Sequence, residues 1–166
     1  MKLINGKTPK GIILIAALTA LSLLLTACSA DAFDGIPKEI QKTLTDYFIA
    51  CKEEPERALE YRYWASESDK QLTYSNITHI LNYEVKTAEK VNDSLYAFTI
   101  LIQDTAMPEQ MIKEDAYRQI YNYVANIEGQ WYVLANEKDI PESIKGGFDS
   151  SKYTYDFALI EGNASN

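Results

Sequence analysis

The chain has 166 residues, of which 46% are hydrophobic and 24% are charged, and its formal net charge at pH 7 is −8. The basic residues form no cluster, so an acidic chain of this kind argues against nucleic acid and against an anionic membrane face as partners. One histidine and two cysteines exclude histidine-rich metal sites and a disulfide framework.

The first 27 residues have the organisation of a secretory signal. Lys2, Lys7 and Lys10 form a positively charged region, which an almost uninterrupted apolar run follows over residues 11–25. This run is shorter than the ~20 apolar residues that a membrane-spanning helix needs. A basic flank, a short apolar core and small residues at its end predict a segment that is removed after export. An uncleaved signal anchor is the alternative.

The apolar run ends in Leu25-Thr26-Ala27-Cys28, a succession of aliphatic, small, small and cysteine. This pattern resembles the lipobox of bacterial lipoprotein signals. The resemblance implies cleavage before Cys28 and attachment of diacylglycerol to its sulfur. Each buried lipid methylene contributes about 0.8 kcal/mol, so two acyl chains anchor a protein stably. We therefore expect a protein held at the extracytoplasmic face of the cell membrane by the lipid on Cys28.

Cleavage before Cys28 leaves about one domain by length, with enough residues to bury a core without metal or disulfides. It removes three lysines and no acidic residue, so the net charge falls to −11. The predicted organisation is a signal peptide (1–27), a tether (28–34), a domain (35–140) and a partly flexible C-terminal extension (141–166).

The predicted domain begins with a helical pattern of apolar residues. Apolar residues fall at spacings of three and four on one face of a helix: Ile36, Ile40, Leu44, Tyr47, Phe48 and Cys51. Cys51 lies on this stripe, and it has no cysteine to form a disulfide with if Cys28 carries lipid. It is therefore expected to be a buried, unreactive thiol. Glu54-Pro55-Glu56 predicts the start of a second helix that ends in the polar stretch 66–70. Its predicted inner face contains Leu59, Arg62, Tyr63 and Trp64.

From residue 81 onward the period changes to two, which is typical of strands. Asn92-Asp93-Ser94 and Glu128-Gly129 carry turn chemistry, and a polar stretch forms a longer connection over 104–115. Alternation at Tyr155, Phe157 and Leu159 indicates a late edge strand, and residues 162–166 are expected to be disordered. The predicted strands cover 81–87, 95–103, 117–127 and 130–135, with Trp131 in the core.

Helices followed by an antiparallel meander predict an α+β fold, in which N-terminal helices pack on a curved antiparallel sheet. This order, with the hairpin segment Ile127-Glu128-Gly129-Gln130-Trp131-Tyr132-Val133, resembles the nuclear transport factor 2-like (cystatin-like cone) superfamily. The similarity covers residues 33–140 and is particularly to small lipoproteins of Gram-positive bacteria. It implies a cone-shaped pocket but no single activity, because members include isomerases, dehydratases, transport factors, dimerisation modules and noncatalytic domains.

No motif in the chain identifies catalytic residues, a metal or a cofactor. There is no phosphate-binding glycine loop, no CxxC, no calcium loop and no HExxH. His79 stands at the start of a predicted strand, where a structural or surface role is the ordinary one. A thiol–base pair of Cys51 and His79 would be chemically competent, but nothing in the sequence places the two together.

Tyrosine is the candidate binding residue of this chain, which contains twelve of them. Tyrosine is favoured in strands, and its apolar ring with a polar tip also suits binding surfaces. Cone-fold enzymes such as ketosteroid isomerase and scytalone dehydratase use acids and tyrosines that project into the pocket, and Asp46 and Glu84 are acids of that type. The candidate pocket-lining residues are Tyr47, Tyr63, Tyr83, Tyr121 and Tyr123.

Three functions remain open on this sequence. The first is a noncatalytic lipoprotein whose cone domain binds an envelope protein or a small ligand. The second is an isomerase- or dehydratase-type enzyme acting on a small apolar molecule, which needs an acid or base beside a hydrogen-bond donor in the cone. The third is a structural subunit of an envelope assembly, which would expose an apolar patch. The oligomeric state is open as well.

Overall fold

The computed structural model describes residues 30–64, 66, 68, 70, 79–113, 115–154 and 159–161. The predicted signal peptide and Cys28 therefore lie outside the described residues. The helices are α1 (Lys38–Glu53), α2 (Pro55–Ala58) and α3 (Glu109–Lys113), and the strands are β1 (Ile80–Asn92), β2 (Leu95–Asp104), β3 (Ala116–Ile127), β4 (Gln130–Leu134) and β5 (Leu159–Glu161). The α+β class is confirmed: a helix precedes a curved antiparallel sheet.

Helix α1 begins where the sequence predicts it. Pro37 precedes its first residue with φ −57°, a position that suits proline because no helical hydrogen bond needs its missing N–H. At the other end, the Glu54 N–H donates to the Ala50 carbonyl at 2.8 Å, and Glu54 itself leaves the helical conformation with φ −142°. All members of the predicted apolar stripe are buried: Ile36, Ile40, Leu44, Tyr47, Phe48 and Cys51.

The predicted long second helix is wrong. Helix α2 has four residues and continues only as a 3-10 turn, Leu59–Tyr61. Arg62 is then extended and pairs in parallel with Val133, and the Tyr63 N–H donates to the Val133 carbonyl at 3.1 Å. The free edge of β4 offers this hydrogen bond, and the aromatic residues here favour extended backbone. Tertiary pairing thus overrides the local helical pattern.

The sheet has the order β1-β2-β3-β4, with all neighbours antiparallel, and β5 pairs with the first residues of β3. The four predicted strands are confirmed, although β1 runs on to Asn92 instead of ending near Thr87. Its pairing with β2 shifts register at three places. Such bulges increase local twist and bend a strand, which helps a sheet to curve round a helix.

The two predicted turns are confirmed. In the first, the Asn92 side-chain oxygen accepts from the Ser94 N–H at 2.9 Å, as Asx turns do. In the second, Glu128 and Gly129 have φ values of 54° and 88°, the consecutive left-handed residues of a tight hairpin turn. The longer connection between β2 and β3 contains α3, which the sequence did not predict.

Both faces of the sheet are covered. On the helix face, Phe48 is fully buried and stacks on Tyr83 with ring centroids 4.8 Å apart. On the opposite face, a segment after β4 packs over Leu95 and Tyr123; we call it the C-terminal strap (residues 140–153). The first half of the predicted extension is thus part of the packed structure.

Folded structure also begins inside the predicted tether. Ala30–Phe33 is a 3-10 turn, which we call the N-terminal turn. Ala32 is buried, and the Phe33 ring lies 6.2 Å from Phe98. The Ile36 N–H donates to the Phe33 carbonyl at 3.1 Å and so joins the N-terminal turn to the approach of α1.

Trp131 lies at the rim of the core, not in its centre as the sequence predicted. It is half-buried and meets Tyr96 edge-to-face at 5.9 Å. It stands two residues after the exposed Gly129 turn, where the sheet ends, and its side chain is only partly buried.

We expect Phe48→Ala to lower the free energy of unfolding by about 3–5 kcal/mol, because a fully buried aromatic leaves a cavity. Trp131→Ala should cost roughly half as much, since part of its ring already contacts water. Urea unfolding followed by far-UV circular dichroism measures both. Equal losses at the two positions would contradict the burial described here.

Candidate functional site

The candidate tyrosines are divided between the two faces of the sheet. Tyr47 and Tyr83 contact Phe48 on the helix face, at 5.1 Å and 4.8 Å between ring centroids. Tyr121 and Tyr123 lie on the opposite face, against the C-terminal strap. There Tyr63 also packs, 6.1 Å from the ring of Tyr132. Their roles in lining a pocket remain predictions.

An open groove of about 260 Å³ lies along the solvent side of α1, where the chain folds back through α2. We call it the α1–α2 groove. Its lining is mainly polar and charged with a few apolar residues, because α1 presents a stripe with helical spacing and Glu54 starts the return. The lining residues are Lys42, Asp46, Ile49, Ala50, Glu53, Glu54, Arg57 and Tyr61. Among them, only Asp46 was a candidate functional residue on the sequence.

Ion pairs organise the rim of the α1–α2 groove. The Lys42 ammonium donates to the Asp46 carboxylate one helical turn away, and this hydrogen bond raises the pKa of Lys42. Arg57 lies 3.7 Å from the Glu54 carboxylate. With Glu53 included, the rim has three carboxylates and two cations. This excess of negative charge suits a ligand that carries one cationic group.

Cys51 is buried beside Tyr47, as the sequence predicted. Burial raises the pKa of the Cys51 thiol to about 11, although a hydrogen bond from the Tyr47 hydroxyl opposes the shift. A thiol with so high a pKa is protonated at neutral pH and is a poor nucleophile. His79 instead is exposed, and its backbone N–H donates to the Thr105 hydroxyl at 3.3 Å. The two residues therefore have different neighbours.

Two buried polar groups hold unusual positions on the helix face. The guanidinium carbon of Arg62 stands 4.2 Å from the centre of the Trp64 ring, which is a cation–π contact. Within the described part of the chain, the Arg62 Nε and the Asn122 Oδ1 are buried and accept or donate no hydrogen bond. The Asn122 amide donates to the Leu134 carbonyl at 3.4 Å. Sequence periodicity predicted neither position. It placed Arg62 on a helix, and it did not single out Asn122.

A buried carboxylate holds the connection that follows β2. Asp104 is 2% exposed at its side chain. It accepts hydrogen bonds from Arg118 Nε and from the Ala106 N–H, both at 3.0 Å. Because these donors come from β3 and from the connection itself, Asp104 links three parts of the fold. We assign it a structural role.

The C-terminal strap is held by aromatic stacking and by a polar latch. Phe148 and Tyr153 stack with centroids 5.3 Å apart, and both meet Tyr123 edge-to-face. At the end of the strap, Glu89 of β1 accepts from the Lys152 ammonium at 2.9 Å and from the Tyr153 hydroxyl at 3.0 Å. These hydrogen bonds lower the pKa of Glu89.

Across the described ranges, no group of three or more His, Cys, Asp or Glu side chains could hold a metal ion. Among these same residues, no helix is long and apolar enough to cross a membrane.

No protein-family model matches this chain, and no curated protein sequence matches it.

We expect Glu89→Gln to loosen the C-terminal strap, because a neutral amide no longer pairs with Lys152. Hydrogen–deuterium exchange of residues 148–154 should become several-fold faster, while α1 keeps its protection. Glu109→Gln is the matched control, since it removes an exposed ion pair with Lys113 on α3.

The same latch has a defined pH dependence. The folded-state pKa of Glu89 lies below its ordinary value of 4.5, so the latch is fully present above that pH and is lost as the pH falls through the lowered pKa. Near-UV circular dichroism reports the packing of Tyr153 in the strap against Tyr123 of β3. An acid transition of the same size and position in Glu89→Gln would contradict this assignment.

Proposed function

We propose that this protein is a noncatalytic lipoprotein, anchored through Cys28 at the extracytoplasmic face of the cell membrane, whose domain binds a partner protein. One observation carries the anchoring part of the proposal: a lipobox-like Leu25-Thr26-Ala27-Cys28 is followed within two residues by folded structure at Ala30. A signal, an anchoring thiol and a packed domain thus follow one another without a long spacer.

The arrangement of helix and sheet supports a relationship to the cystatin-like cone superfamily. Helix α1 lies on one face of a curved antiparallel meander, as the resemblance implies. The cone-like assignment is part of our proposal, and the α+β architecture supports it. Signal cleavage and lipid attachment likewise belong to it.

Packing of the helix–sheet interface favours binding over catalysis. Phe48, Phe98 and Leu44 are fully buried there, so side chains fill the described space between α1 and the sheet. An enzyme of the isomerase or dehydratase type would need an acid or base beside a donor in an open pocket. Of the residues with reactive side chains, Cys51 is protonated and buried, which makes it unsuitable for that work.

The α1–α2 groove is the surface that best fits a partner. Ile49, Ala50 and Tyr61, the apolar part of its lining, would contact the stem of a long side chain. The carboxylates at its rim would pair with the terminal charge of that side chain. We therefore propose that the partner presents a lysine or arginine. The structural-subunit alternative would need a broad apolar patch, whereas the C-terminal strap covers the sheet face opposite α1.

Lipid attachment is tested by mass spectrometry of the protein purified from membranes. We expect an N-terminal Cys28 carrying diacylglycerol, because a thiol is the group that receives the lipid. Cys28→Ala should accumulate with its signal uncleaved or lose the lipid mass, while Cys51→Ala, the matched cysteine control, should keep it. A mature N-terminus elsewhere, without lipid, would refute the anchor.

Partner binding is tested by photo-crosslinking in intact membranes. A photoreactive residue at Glu56, exposed beside the α1–α2 groove, should give a discrete protein adduct. Glu53→Lys should abolish that adduct, because it reverses the charge excess of the rim. Glu109→Lys, the same change on α3, should leave it intact. An adduct that survives Glu53→Lys would contradict a role for the groove.

A further inference from the structure

We infer that the domain lies on the membrane with the outer edge of β1 towards the lipid, so that the β4 edge and the α1–α2 groove face away from it. This inference rests on the proposed lipid at Cys28. It concerns the surface through which the domain meets the bilayer, and it follows from where the chain enters the fold.

The anchor is too short to let the domain turn freely. Two residue steps separate Cys28 from Ala30, and such a segment spans at most about 7 Å even when fully extended. From Ala30 onward the chain is a 3-10 turn. Ala32 in that turn is buried, which ties the start of the chain to the core. A lipid on Cys28 must therefore lie close to the N-terminal turn.

The N-terminal turn lies on the β1 side of the sheet. It packs along β1, and its last residue, Phe33, contacts Phe98 of β2, which is paired with Ala88 of β1. The exposed Gly35, with φ +72°, then reverses the chain into α1. The chain therefore enters the fold over β1 and proceeds inward, so the described chain begins on the β1 side of the sheet.

The outer edge of β1 is poorly suited to pairing with a further strand, so a surface of another kind can cover it. Its three register shifts interrupt the row of backbone groups that a further strand would need. It also exposes Lys86 and Lys90, whose charges are held close to Glu84 and Asp93 at 2.8 Å and 2.7 Å. Paired charges reduce the repulsion that an acidic protein meets at an anionic lipid surface.

The opposite edge carries acidic residues and the proposed binding groove. The chain that leaves α2 runs beside β4 through the pairing of Arg62 with Val133. Three strand spacings, about 14 Å, separate β1 from β4. The turn after β4 contains Glu137 and Asp139, which an anionic membrane would repel. If the β1 edge lies on the lipid, these acids and the α1–α2 groove face away from the bilayer and are accessible to a partner.

Lysine footprinting on vesicles tests the orientation. The lipoprotein purified from membranes is reconstituted into phosphatidylcholine–phosphatidylglycerol vesicles and treated with a membrane-impermeant acylating reagent. Labelling at each lysine is compared by mass spectrometry with that of the soluble chain beginning at Ser29. We expect Lys86 and Lys90 to react several-fold more slowly on vesicles. Lys138, exposed after β4, should react at an unchanged rate.

A variant with a flexible Gly-Ser segment inserted between Ser29 and Ala30 keeps the lipid but lengthens the anchor. The difference between Lys90 and Lys138 should disappear in it. Equal protection of both lysines in the parent protein, or protection of neither, would overturn the inference. Persistence of the difference in the lengthened variant would show that the short anchor does not set the orientation.

A separate experiment distinguishes failure of the proposed orientation from failure of the proposed lipidation. The mature chain is coupled through the Cys28 thiol to a maleimide phospholipid in the same vesicles, while buried Cys51 stays unmodified. If the protein from membranes carries no lipid, the proposed function fails, yet the coupled chain still shows whether β1 faces the bilayer. Protection of Lys86 and Lys90 over Lys138 supports the orientation in either preparation.

Discussion

The contact between the apolar stripe of α1 and the sheet organises the rest of the molecule. Ile40, Leu44 and Phe48 reach zero exposure against it, and each fully buried side chain of this size contributes roughly 1.5–3 kcal/mol. Because this contact places α1 on one face, the charged side of the helix is directed outward. The α1–α2 groove exists only because that charged side meets the returning chain at Glu54.

The second face of the sheet is closed in a different way. The C-terminal strap contributes aromatic rings from an irregular segment, and no regular helix covers that side in the described residues. Stacked rings bury apolar area without needing a long element, while the Glu89 latch holds the end of the strap at the surface. The α1 face should therefore be the more stable half, and the strap should open at a lower free energy.

Charge and the proposed lipid anchor both bear on how the domain would be oriented. An acidic domain is repelled by an anionic bilayer, and the short anchor that we propose would limit its freedom to turn away from it. Presentation of the β1 edge, where lysines are paired with acids, would reconcile the two. The proposed orientation would also leave the α1–α2 groove accessible to a basic side chain of the proposed partner.

Local sequence information was sufficient for α1, the strands β2 to β4 and both tight turns, because each depends on periodicity or on residues within one turn. It was also sufficient to single out Cys28 as the anchoring candidate. Only the tertiary structure decided that Arg62 leaves the helix to pair with Val133, that Trp131 stands at the rim, and that the groove forms between α1 and α2. These features depend on backbone groups and surfaces supplied by distant parts of the chain, which no local period encodes.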